Sequence, residues 1–146
     1  MSKNCTIENN VVYNNGGSGI AQFDNSTIRN NILIADYPLN SLNTCIVTNN
    51  VVKGDAISSY PDNIYGATMA NTFIDDVSAD RYLLRDDSIA KGQATDGGDC
   101  GAFGGTTPYV LSGIPVNMPH FVNVSIPSSP TDGKLNIKLK IATQNE

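Results

Sequence analysis

An all-β fold built from stacked short repeats is what this sequence predicts, and three observations carry the prediction. First, a motif recurs at a period of about 20 residues, the signature of a repeat architecture. Thr6-Ile7-Glu8-Asn9-Asn10-Val11-Val12 aligns with Thr27-Ile28-Arg29-Asn30-Asn31-Ile32-Leu33, with Ile46-Val47-Thr48-Asn49-Asn50-Val51-Val52 and, more loosely, with Ala67-Thr68-Met69-Ala70-Asn71-Thr72-Phe73. Second, no stretch between the polar corners is long enough for a helix. Third, Asn is abundant, Trp is absent and charged residues make up only 16%, a balance that favours turns and side-chain amide ladders over surface helices.

Each repeat has one grammar: a short β-branched stretch, an amide-rich corner, a second apolar stretch, then a variable loop with Gly, Asp, Asn or Pro. The first repeat is the fullest. Cys5 to Ile7 reads as a strand, Asn9 and Asn10 as a corner, Val11 to Tyr13 as a strand, Asn14 to Ser18 as a corner, Gly19 to Phe23 as a strand, and Asp24 and Asn25 as a corner. Such a coil cannot bury its own inward side chains, so it must stack on its neighbours, with strands about 4.8 Å apart. Stacking aligns equivalent residues. Ile7, Ile28 and Val47 then form an aliphatic column, and one member of each pair among Asn9, Asn10, Asn30, Asn31, Asn49 and Asn50, continued by Asn71, forms an amide ladder. A ladder satisfies the backbone at a sharp corner, where Leu would leave polar groups unpaired.

The segment Thr6 to Phe23 resembles the repeat of pectate-lyase-like parallel β-helix proteins. The resemblance implies a right-handed single-stranded parallel β-helix of about three to four coils, followed by a closing segment and a C-terminal β-hairpin. The closing segment rests on Asp80-Arg81-Tyr82-Leu83-Leu84-Arg85, Ser88-Ile89-Ala90 and Asp99-Cys100-Gly101-Ala102-Phe103-Gly104, which are similar to the run that ends many secreted bacterial β-helices. Ile89 stands where Pro is usual. Pro108 to Pro115 resembles the linker that follows such helices in surface proteins of Bacteroidetes-type bacteria, which implies an extracellular or cell-surface location. Beyond it, Val122, Val124 and Ile126 alternate with polar residues, as do Leu135, Ile137, Leu139 and Ile141. With turn residues from Pro127 to Gly133 between them, this predicts a hairpin. A lone hairpin is marginal in water, so it needs the last coils or a partner to pack on. The expected division is 4–107 coils and closing segment, 108–119 linker, and 120–146 hairpin. Cys5 falls inside a repeat, so Met1 to Lys3 is expected to stand in place of a longer upstream region.

Composition narrows the function classes. A net charge of −5 argues against a nucleic-acid surface, and no apolar run reaches the roughly 20 residues of a membrane span. Cys5 and Cys45 share a column with Ser26 between them. Two rungs put them about 10 Å apart, beyond the roughly 7 Å reach of a disulfide, so buried free thiols are expected. A single His and the absence of CxxC spacing leave no zinc site, and no metal or cofactor is expected.

Lyases on this fold need a base, often with acidic residues holding calcium, and hydrolases need paired carboxylates roughly 5 to 9.5 Å apart. Glu8 with Arg29 reads as a surface ion pair. Asp75 with Asp76 and Asp86 with Asp87 read as solvated turns, Asp96-Gly97-Gly98-Asp99 as a tight turn, and His120 as structural. No catalytic residue is assigned. Exposed aromatics are the remaining lead, since Tyr faces stack on sugars and the phenol bonds hydroxyls. The carbohydrate-binding candidates are therefore Tyr13, Tyr37, Tyr60 and Tyr65, with Lys53 and Asp55 just past the third corner, beside Tyr60 and Asp62.

Three functions follow as expectations: a non-catalytic structural or glycan-adhesive solenoid segment, the tail of a polysaccharide lyase or glycoside hydrolase whose catalytic coils lie upstream, or a self-assembling filament subunit. The corresponding partners are a polysaccharide or cell-surface glycan, or another copy of the chain end to end.

Overall fold

The computed structural model describes residues 1–74, 82–110, 118–130 and 132–142. It separates into two compact units, Met1–Pro108 and Tyr109–Glu146. Asp75, Asp76, Asp80, Arg81 and most of the expected linker, 111–117, lie outside the described residues.

The first unit is all-β apart from one helical turn. Its strands are β1 (Ser2–Lys3), β2 (Thr6–Glu8), β3 (Val11–Asp24), β4 (Thr27–Arg29), β5 (Ile32–Asn43), β6 (Ile46–Thr48), β7 (Val51–Val52) and β8 (Ile64–Tyr65), followed by α1 (Met69–Thr72). These strands pair in parallel. β2, β4 and β6 form a three-stranded sheet, and β1, β3, β5, β7 and β8 lie in that order in a five-stranded one. The chain passes from one sheet to the other at short polar corners. Asn4, Asn25 and Thr44 stand before the three-stranded sheet and Asn9, Asn30 and Asn49 after it, all left-handed with φ between 48 and 58°. Asn enters this region more readily than most residues that carry a Cβ, which fits its recurrence there.

Register follows the repeat. Ile7 pairs with Ile28 and Ile28 with Val47, giving the expected aliphatic column. The corner expected at Asn14 to Ser18 is not a break between strands. β3 runs through it, pairing with β5 on both sides of a register shift between Asn14 and Ser18. The extra residues of the longer repeat are absorbed as a bulge, which preserves the ladder beyond them.

The corner amides divide their work by position. At the second Asn of each pair, the backbone N–H and Nδ2 both donate to the amide oxygen of the next repeat. Asn10 bonds Asn31 Oδ1 at 3.0 and 3.2 Å, Asn31 bonds Asn50 Oδ1 at 3.0 and 2.9 Å, and Asn50 bonds Asn63 Oδ1 at 2.9 and 2.8 Å. The same Nδ2 groups reach carbonyls of their own and the preceding repeat: Arg29 and Ile7 from Asn31, Thr48 and Ile28 from Asn50. Asn63 holds the fourth place, where Asn71 was expected. Asn71 instead completes a capping box with Thr68 at the start of α1.

Two apolar clusters result. The inner one joins Ile28 and Val47 of the three-stranded sheet to Leu33, Val52 and Ile20 of the other. The outer one lies on the opposite face of the five-stranded sheet, where Ile32, Ile34 and Val51 meet Ala67, Phe73, Ala90, Ala94 and Cys100. Ile32 and Leu33 are thus adjacent yet both fully buried. A strand covered on both faces reads as a continuous apolar run, not an alternating one.

The covering layer is the closing segment, which crosses three repeats along the first-Asn column. Asn49 Nδ2 donates to the Gln93 carbonyl, and Asn30 exchanges two bonds with Thr95 at 2.9 and 3.1 Å. Gly105 lies against the Asn9 amide. Gly101 explains part of the Asp-Cys-Gly-Ala-Phe-Gly motif. Its φ is +92°, and a Cβ there would sit 2.6 Å from Ile32 Cδ1 and 3.2 Å from Val11 Cγ2.

All three cysteines are free. Cys5 and Cys45 are half-buried, not buried as expected, because they sit at corners, where each Sγ donates to a carbonyl two residues back, that of Lys3 or Asn43. Ser26 makes the equivalent bond to Asp24. Cys100 is buried, and desolvation together with the negative charges of Asp99 and Asp96 pushes its thiol up to about 12.

In the second unit, β9 (His120–Ser125) pairs antiparallel with β10 (Lys138–Ala142), with a register shift between Lys140 and Ile141. Leu135 and Ile137, read from sequence as part of the second strand, precede β10.

Two outcomes test this account. Asn31→Leu strands several buried groups at about 1–3 kcal/mol each, so it should destabilise the protein by at least about 3 kcal/mol in urea unfolding, whereas Asn10→Ala at the exposed end should cost about 1 kcal/mol or less. Because folding raises the Cys100 pKa, the folded state keeps a proton that the unfolded chain loses. The thiol's contribution is whole below about pH 9.0 and is lost as pH climbs toward about 12. Over that window, Cys100→Ala should show a shallower fall in stability than the parent chain.

Candidate functional site

The repeat that supplies β6 and β7 is shorter in strand than its predecessors. β5 runs for 12 residues, but β7 covers only Ile32 and Leu33 of it before the chain leaves the sheet at Lys53. The remainder of β5 is therefore an edge, and the loop after β7 rises beside it. Between them lies an open cleft of about 300 Å³, lined by Asp36, Tyr37, Pro38, Leu39 and Asn40 from β5 and by Lys53, Gly54, Asp55 and Ile57 from the loop.

Local sequence builds each wall. Pro38 has no N–H to leave unpaired on an exposed edge, and it packs so closely on Gly19 of the preceding repeat that a Cβ there would lie 2.6 Å from the Pro38 carbonyl oxygen. Gly54, at φ +88°, turns the chain out of β7, and its carbonyl accepts from Gly66 N–H at 3.0 Å. Tyr37 is 64% exposed. Lys53 Nζ lies 2.7 Å from Asp36 Oδ1, with both side chains nearly half-exposed. Such a pair is worth ~0–1 kcal/mol to stability and is better understood as orientation of two polar groups at the cleft. Asn40 is held by Ser18 and Ser41, its Nδ2 donating to Ser18 Oγ and its Oδ1 accepting from Ser41 Oγ.

Of the six carbohydrate-binding candidates, Tyr37, Lys53 and Asp55 come together here. The other three do not. Tyr60 and Tyr65 pack against the inner cluster, with the Tyr65 hydroxyl donating to the Tyr60 carbonyl at 2.7 Å. Burial holds both phenols above their ordinary range. Tyr13 packs against the outer cluster. Asp62, expected beside Lys53, uses its carbonyl to accept from Asn49 N–H at the third corner. The reading from sequence missed Asp36 and Asn40. The available signal was that Val51-Val52 stops at Lys53-Gly54-Asp55, where the preceding repeat continues Ile32 to Ala35 before reaching Asp36.

The remaining acidic pairs have local partners. Glu8 meets Arg29 at 2.6 Å, Asp87 meets Arg85 at 2.7 Å and Asp86 meets Lys91 at 3.4 Å, all at the surface. The Arg85 guanidinium holds Asp87 below the usual carboxylate range. Asp24 is lowered as well, through Lys3, Thr44 and Asn43. Asp96 accepts from Gly98 N–H and Asp99 from Gly92 N–H, which makes this stretch a self-bonded turn. Among the described residues no group of three or more His, Cys, Asp or Glu is placed to hold a metal, and no helix is long and apolar enough to cross a membrane. The side chains of Asp75, Asp76 and His120 lie outside what is described. No family model, curated protein or solved structure matches the chain, which leaves its own geometry as the ground for assigning a role to the cleft.

Proposed function

We propose that the first unit is a segment of a right-handed parallel β-helix on the extracellular face of a bacterium, and that it serves as a non-catalytic scaffold that holds a glycan in the β5 cleft. Parallel sheets, the repeat register and the corner columns support the scaffold. The observation that carries the adhesive role is Tyr37, an aromatic face left 64% exposed beside a cation, two carboxylates and an amide. An exposed ring stacks on the C–H face of a pyranose, and flanking polar groups bond its hydroxyls. The non-catalytic reading is favoured by the company the carboxylates keep: Asp36, Asp86 and Asp87 each have their own cation.

A second reading, end-to-end assembly, is favoured by the polarity of the amide ladder. Asn10 donates into the ladder, but its Oδ1 accepts no hydrogen bond among the described residues. An amide at the same corner of an adjoining strand, whether from a preceding repeat or from a second copy, would fill it.

Binding is checked by titrating a polysaccharide panel. Tyr37→Ala should weaken the best ligand about fivefold while leaving thermal unfolding unchanged, because removing a stacking ring costs about 1 kcal/mol. New reducing ends or unsaturated uronic products would overturn the non-catalytic assignment. Fibres that form in proportion to concentration, and are lost when an Asn10 variant is used, would move the assembly reading ahead.

A further inference from the structure

Resting on the glycan reading above, the chemistry of the cleft narrows its ligand class, and we infer that it takes a neutral or amino-bearing glycan and discriminates against polyuronates. The lining carries Asp36 and Asp55 against a single cation, Lys53, and that cation is already engaged by Asp36 at 2.7 Å. A uronate carboxylate entering here must compete with Asp36 for the one ammonium and meets the charge of Asp55. Sugar hydroxyls and ammonium groups suit the same lining, since an ionised carboxylate accepts hydrogen bonds and donates none. The chain's net charge of −5 acts in the same direction, repelling a polyanion before contact.

An extended peptide adding to the β5 edge fits less well. Pro38 removes a donor from the middle of that edge, and Asp36 and Lys53 place charges beside it. Proline and charged side chains are the usual means by which an edge refuses another strand. Tyr37 with flanking carboxylates therefore favours a sugar face over a backbone.

The test uses the full chain and three oligosaccharides of equal length: a neutral β-glucan, a partly deacetylated chitin and an oligogalacturonate. Affinity is measured for the parent, Tyr37→Ala and Asp55→Asn, at low salt and at about 0.5 M salt, where unspecific charge attraction is screened. The expected result is that the neutral or amino sugar binds about tenfold or more tightly than the uronate, and that Asp55→Asn narrows this gap about threefold or more. Tyr37→Ala should weaken the preferred sugar at both salt concentrations. Equal or tighter binding of oligogalacturonate overturns the inference and leaves the glycan reading standing. Amino-sugar binding that vanishes in salt and ignores Tyr37→Ala, with no neutral-sugar binding, is charge attraction and also overturns it. No binding by any of the three overturns the glycan reading itself.

Discussion

Asn31 has no exposed surface and still satisfies every polar atom of its amide, and the remainder of the first unit is organised around making that possible. A buried amide without partners would cost more than a well-packed Leu contributes, so the ladder works only when successive repeats keep one register. Bulges are therefore confined to stretches between ladder positions. The bulge between Asn14 and Ser18 takes up the extra length of the 21-residue spacing between the first two repeats, against 19 between the next two.

The paired asparagines look redundant in the sequence but have separate tasks. The second of each pair runs along the stack. The first, held left-handed, points its amide at the closing segment, as Asn30 does to Thr95 and Asn49 to Gln93. Asn9, the outermost member, lies against Gly105 with its Oδ1 buried and without a partner. In the column Cys5, Ser26, Cys45 each thiol or hydroxyl donates to a carbonyl two residues back, and Ser26 Oγ also accepts from Cys5 N–H at 3.1 Å.

The cleft is a consequence of an interrupted stack. Had β7 matched the length of β5, Tyr37 and Asp36 would face a further strand; because the chain turns away at Gly54, they face solvent instead. A regular array thus acquires a local feature where it is shortened, with the surrounding register left intact. Loops positioned by a rigid scaffold are where binding residues concentrate, and here the scaffold contributes half of the wall itself.

Much of the fold was legible in the residues alone. The Asn-Asn period, the column of Ile7, Ile28 and Val47, the all-β class and the impossibility of a Cys5 to Cys45 bridge all follow from spacing, because stacked repeats convert sequence offset directly into position. Three features were decided only by the tertiary structure. The substitution of Asn63 for Asn71 in the ladder depends on how a loop with no repeat of its own returns to the stack. The two-sided burial of Ile32 and Leu33 depends on residues between Ala67 and Cys100, far along the chain, which local patterning cannot see. The meeting of Asp36 and Tyr37 with Lys53 and Asp55 depends on where a strand ends relative to its neighbour. Periodicity determines which residues share a column; where the period breaks, only the folded chain determines which side chains come to face one another.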